Sequence, residues 1–528
     1  MKRLIRNGLL IDGSGSAPKK SDLLIDRDKI AAVEDILSIA ADEIMDAAGK
    51  IVSPAFIDMH RHFDAKALSS RSKEVELRQG IATTIVGNCG FSMAPLFGRY
   101  AGEKHENDIP ILGNYPIQEN LTFSKYMDAL ESTPQALNIA AMIGLGAVRI
   151  SLNGFSDQPL TSNQLANGRS MIQEALDSGA CGVSAGIMYL PEFYTTRDEY
   201  LALLNPLKGG RKPFVTHIRG EGDSMVESVR EVIEIAKRVE CPLEISHFKS
   251  CGMKNWNKDI YRAIELIENE RAHGMDITVD FYPYIGGSTG LTTMLPPAFV
   301  KGDMPNALKR LGTSSGIEEF RTASRIGYDD WDNYALTLGW DRILISSAEG
   351  ENRKFIGMSV PEAAETFGFD DPEALAAHLI HTENGRTAII NLSMDQKDVD
   401  TIANLPYSIL ISDAIYADTD TPHPRMFGAF PHFIEDYVVN RHVLSLEAAI
   451  QKMTDMPAKR MQLQNRGILS VGNYADIVIF DPSAIHSAAT FTSSSHLGEG
   501  ISALLINGEW AVKDDFVFPS SHGNLLRI

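Results

Sequence analysis

Short apolar runs alternate with amphipathic stretches through most of this chain, and that alternation predicts its architecture. Residues 56–60, 82–89, 137–144, 181–187, 214–219, 243–248, 276–282 and 407–413 each read as a strand. Helical patterns lie between several of them. In 224–238, for example, Met225, Val229, Val232, Ile233 and Ala236 recur at helical spacing. Strands alternating with helices are the signature of βα units and a parallel sheet. Eight such units predict an α/β fold, a (β/α)8 TIM-like barrel whose chemistry sits at the C-terminal strand ends.

The two ends of the chain have a different texture. Residues 4–13 and 22–33 near the start, and 472–482 and 504–510 near the finish, are β-rich runs broken by Gly, Asn and Pro. The expectation is one small β-sandwich domain built from both termini, residues 1–53 and 466–528, flanking a barrel over 54–465. One spacing is abnormal. More than a hundred residues separate the seventh and eighth strands, where one crossover helix would suffice, so about 285–405 is an insertion beside the catalytic face. It is expected to act as a lid or subdomain. A competing strand, 342–348, could stand in for the eighth, but 407–413 ends on Asp413 and supplies a carboxylate at the site.

Composition narrows the class of protein. At 528 residues the chain exceeds a single compact core. Its formal charge of −20 argues against a nucleic-acid partner, because neutralising phosphates needs a basic surface. Four cysteines without a CxxC pair point to a reduced, cytoplasmic compartment. No apolar stretch is long enough for a membrane span, and the run at the start is broken by Arg6, Asn7 and Gly8.

The chemistry-bearing residues sit at the strand ends. His60 and His62 are two apart at the end of the first strand, so both imidazoles face one side. Cys89 ends the second, His217 lies in the fifth, His247 near the end of the sixth, and Asp413 closes the eighth. Imidazole, thiolate and carboxylate together form a zinc-type set, unsuited to magnesium or calcium. Taken singly, each has a plainer reading: a core histidine, a buried cysteine, an aspartate capping a helix. Jointly they require five independent strand ends to coincide with ligand chemistry.

These residues and their surroundings resemble the N-acyl-D-amino-acid deacylase (D-aminoacylase) family of the amidohydrolase superfamily. The matching segments are FIDMHRHFD, TTIVGNCGFSMAP, VSAGIMYLP, THIRGEGD, ISHFK, DFYPYIGGST, ISD and HPRMFGAFP, then MTDMPAKR and GNYADIVIFDP. They span nearly the whole chain. The resemblance implies a tight zinc site at Cys89, His217 and His247, and a weaker second site at His60 and His62. Asp413 would be the general base and acid and could also touch metal. Lys249, Tyr282, Ser288, Arg425 and Tyr189 would hold the substrate, a small N-acyl-D-amino acid. Leu145 and Ala414 depart from the pattern, standing where relatives commonly have histidine and glycine.

Two rival readings follow from the same residues. A cyclic amidase of the hydantoinase or dihydroorotase type would use a carboxylated lysine between two zincs. No lysine occurs in the third or fourth predicted strand, whereas Cys89 offers a thiolate instead. A non-catalytic scaffold would usually have lost ligands, and this chain keeps all six. Side-chain and acyl preference, metal number and oligomeric state are not written in the sequence.

Overall fold

In the computed structural model of the chain, residues 1–69, 73–117, 120–329, 331–416, 421–519 and 521–528 are described. Eight parallel strands run through the middle in chain order: β1 (Phe56–Asp58), β2 (Ile81–Val86), β3 (Asn138–Ala141), β4 (Val183–Gly186), β5 (Phe214–His217), β6 (Leu243–Ile245), β7 (Ile277–Phe281) and β8 (Ser408–Leu410). Each pairs with the next in sequence order, except that β3 reaches β4 through its continuation Ile143–Gly144. Beyond the strands, the chain after β8 returns to the chain after β1. Asp413 N donates to His60 O at 2.9 Å, and His62 N donates to Ala414 O at 2.9 Å.

The strands are shorter than the apolar runs that predict them. The run 56–60 forms strand only to Asp58, and 407–413 only to Leu410. The trailing residues leave the ladder, which frees their side chains to turn inward. β2, β3, β4 and β5 are buried along their whole length. Helix α1 (Ala101–Leu112) follows β2, and α2 (Met225–Val239) follows β5. In α2, Val229, Val232, Ile233 and Ala236 are buried against the sheet side while Arg230, Lys237 and Arg238 face solvent. Its periodicity places it within a residue of the expected span.

The terminal segments pair with each other. Strand Ile477–Phe480 lies antiparallel to Ile51–Pro54, and Ile501–Ile506 and Glu509–Lys513 extend the same seven-stranded sheet. A four-stranded sheet from residues 2–46 packs against it through Ile5, Leu23, Ile25, Ile477, Ala503 and Leu505. Apolar residues alternate inward from both sheets, which are mixed but largely antiparallel, and that is how two layers share one core.

The stretch between β7 and β8 has its own organisation. Gly287–Gly290, Ile343–Ser347 and Ala388–Asn391 form a separate three-stranded antiparallel sheet. The competing strand 342–348 therefore belongs to the insertion, and the segment ending at Asp413 pairs with β7. Helices such as Ser314–Ala323, Val360–Phe367 and Pro372–Thr382 close a second core around Phe320, Leu375 and Ile389. Among the described residues no helix is long and apolar enough to cross a membrane.

Candidate metal centre

The residues following the strands converge. Cys89 Sγ lies 3.2 Å from His60 Nε2 and 3.4 Å from His247 Nε2. Asp413 Oδ1 is 3.4 Å from both His60 Nε2 and His62 Nε2. His217 Nδ1 is 2.9 Å from His247 Nε2. The donor atoms form three overlapping groups, each within 4.8 Å: His60, Cys89 and His247; His60, His62 and Asp413; His217, Glu221 and His247. All are buried. The expected triad of Cys89, His217 and His247 is thus joined through His247, and the thiol groups with His60 as well.

Backbone geometry explains the convergence. Cys89, His247 and Asp413 have φ of 51°, 33° and 49°, in the left-handed region that L-residues seldom occupy. Such a turn at a strand end swings the side chain off the sheet and into the centre. Holding it costs about 1–3 kcal/mol per residue, and the surrounding packing must over-determine it. Glycines make that packing close. A Cβ on Gly186 would stand 2.1 Å from Cys89 O, and one on Gly144 would stand 2.2 Å from Gly90 O. The GNCG loop can settle onto β3 and β4 only because those positions are bare.

Two carboxylates absent from the sequence expectation orient the histidines. Asp280, inside β7, lies 3.0 Å from His60 Nδ1 and also accepts from His247 N. Glu221, in the loop after β5, lies 2.9 Å from His247 Nδ1 and accepts from Lys249 Nζ at 2.5 Å. With each Nδ1 so engaged, each Nε2 is left to face the sulfur.

Electrostatics follow from this crowding. Burial would raise the Cys89 thiol, but His60 and His247 beside it outweigh burial and lower its pKa. Burial likewise opposes Asp413, and Arg425 with His60 holds it well below the carboxylate range. Burial and Lys249 push His247 down, while Cys89 and Glu221 more than reverse this, to about 9. His62 is pulled down to about 4, chiefly by burial. The centre therefore gathers a thiol whose ionisation is eased and a carboxylate held ionised, among buried imidazoles.

The residues expected to hold substrate surround this centre. Lys249 and Arg425 are buried, where a lysine or arginine would ordinarily be a solvated surface charge. Their charged ends lie 5.7 and 4.6 Å from the ring centre of Tyr282. Arg425 Nη1 is 2.8 Å from Asp413 Oδ2, yet off the hydrogen-bonding direction, so Nη1 and Nε have no hydrogen-bond partner. Arg425 Nη2 donates to Ser288 O, and the buried Ser288 Oγ is also without a partner. Ser288 sits in the insertion's first strand and not in a turn. Tyr189 packs its ring on His217 with centroids 4.8 Å apart.

Known proteins share this plan. The sequence model of the amidohydrolase family matches residues 43–302 and 377–512. The unmatched 303–376 falls inside the insertion. The chain is 30% identical to D-aminoacylase of Alcaligenes xylosoxydans xylosoxydans, over 96% of this chain and 93% of that protein. A solved D-aminoacylase, described for its binuclear metal centre, superposes with TM-score 0.85 at 28% identity, covering 100% of this chain and 99% of that one. N-acyl-D-glutamate deacylase from Bordetella bronchiseptica, solved with zinc and a phosphonate mimic of the tetrahedral intermediate, superposes with TM-score 0.84 at 27% identity, with the same coverage.

Proposed function

The chain belongs to the amidohydrolase family, and from that premise we propose that it hydrolyses N-acyl-D-amino acids to a carboxylate and a free D-amino acid, with zinc as its metal. The observation that carries this reading is Cys89 Sγ, placed between His60 Nε2 and His247 Nε2 at 3.2 and 3.4 Å. A thiolate in that position stands where a cyclic amidase would need a carboxylated lysine, and β3 and β4 contain no lysine.

The donor set fits zinc by its chemistry. Buried imidazoles, one thiolate and one carboxylate suit a borderline-soft divalent cation and leave calcium and magnesium poorly served. Cys89, His217 and His247 would hold it tightly, with His60 and His62 forming a weaker second position and Asp413 able to reach it. When bound, zinc supplies the Lewis acidity that makes water nucleophilic at neutral pH and polarises the scissile carbonyl. Asp413, kept ionised by Arg425, accepts the proton from the attacking water and delivers it to the departing nitrogen. Arg425, through Nε, which has no hydrogen-bond partner, would fix the α-carboxylate together with Lys249, Ser288 and Tyr282. Tyr189, packed at a tilt against His217, would border the bound acyl group.

In this reading the eight parallel strands act as one (β/α)8 barrel over 54–465, with 1–53 and 466–528 forming a β-sandwich and 285–405 serving as a lid. The test is an assay of N-acetyl-D-amino acids beside their L forms, hydantoin and dihydroorotate, with zinc content measured on the same preparation. Turnover of the D-amides with bound zinc is expected. Turnover of the cyclic compounds alone would overturn the reading.

A further inference from the structure

We propose that the site takes a substrate with an extended, uncharged apolar substituent, threaded through a narrow cleft into an outer apolar chamber. The inference rests on the deacylase reading and names its substrate class. A cleft of about 40 Å³ opens beside the metal centre. Its walls touch the donors: Met188 Sδ is 3.2 Å from His217 Nε2, and Tyr189 meets His217 at a tilt and Phe91 edge-on. The far side is built by the insertion, from Leu295, Pro297, Met304 and Trp331.

A second cavity of about 270 Å³ adjoins it, with Asn107, Thr292 and Met304 lining both. Phe155, Leu308 and Pro305 line this chamber, which lies between α1 and the insertion. Among the described residues neither cavity has a lysine, arginine or histidine in its wall; the charged residues that line the chamber are Glu103 and Glu106. An anionic end group would meet no cation in the lining of the cleft, and beyond it Glu103 and a Glu106 whose carboxylate lies 3.9 Å from Arg386 Nε. An alkyl chain would leave water along the whole path, which is favourable by burial alone. The acyl group and the amino-acid side chain are both chemically able to supply such a chain.

Two substrate series separate these sources. The first lengthens the acyl group on D-methionine from acetyl to decanoyl; the second lengthens the side chain on N-acetyl substrates from D-alanine to D-2-aminooctanoate. In one series kcat/KM should climb by up to about fourfold per added methylene, and that series identifies the threaded group. Leu308→Trp, which fills the chamber, should lower the ratio of long-chain to acetyl kcat/KM about tenfold. Glu103→Lys, at an exposed position on α1, should raise kcat/KM for a chain ending in a carboxylate. If Leu308→Trp does not fold, the two series and Glu103→Lys decide. Flat profiles in both series, or better turnover of anionic than apolar chains by the wild type, would overturn the proposal while leaving the deacylase reading intact. Turnover of no member of either series would instead overturn the deacylase reading.

Discussion

Asp280 Oδ2 meets His60 Nδ1 at 3.0 Å, and the other oxygen of the same carboxylate accepts from the backbone N of His247. One buried side chain thus fixes a ring on one strand end and the main chain of another. Asp280→Asn keeps the shape but offers an amide N–H where two donors now converge. Metal affinity should fall about 10- to 100-fold, read by competition with a chromophoric chelator. Unchanged affinity would show that Asp280 is a packing residue only.

The left-handed backbone at Cys89 separates strain from ligation. Cys89→Ala and Cys89→Gly both remove the thiolate and should both lose the tight metal. In chelator-treated protein, however, the glycine variant should unfold at higher denaturant, by about 1 kcal/mol, because alanine keeps the Cβ clash that glycine relieves. The reverse order of midpoints would show that the loop is unstrained there.

Arg425 is expected to serve two purposes that substitutions can split. Arg425→Lys keeps the charge beside Asp413 but loses the planar fork, so KM should rise with little movement of the pH profile. Arg425→Met removes the charge as well. Asp413 is held low by Arg425 against burial, so without the guanidinium its pKa rises. The acidic limb of kcat/KM should then move to higher pH. An acidic limb in the same place for both variants would mean that another group sets it.

What the sequence discloses and what it conceals have physical causes. His60, Cys89, His247 and Asp413 are legible because each follows a recognisable apolar run, and parallel strands in register carry their ends to one side. Their exact approach is not legible, since it depends on positive φ values that only the packed loops enforce. Asp280 is hidden because it reads as one polar residue within strand ITVDF, and Glu221 because it lies in a polar loop. Lys249 and Arg425 look like ordinary surface cations until burial is known. The cleft is least legible of all, because its far wall comes from an insertion that folds around its own core.

Glu192 provides a test of stability apart from the chemistry. Its carboxyl is buried at the end of the β4 loop, accepting from Gly186 N at 3.0 Å and from Tyr200 Oη at 3.1 Å. Burial outweighs those bonds and pushes its pKa up to about 7, above the ordinary value near 4.3. The folded protein therefore holds a proton that the unfolded chain has released between those two values. Such a group contributes stability that is fully present below about pH 4.3 and is lost as pH rises through about 7. Asp64, also raised to about 7 by burial, acts in the same direction. Glu192→Gln stays neutral throughout and removes the contribution of Glu192. The stability of the variant relative to wild type should thus improve between pH 4.5 and 7, by an amount on the order of 3 kcal/mol. Urea midpoints of both proteins at several pH values measure it. A constant difference across that range would mean that Glu192 is ionised in the folded state.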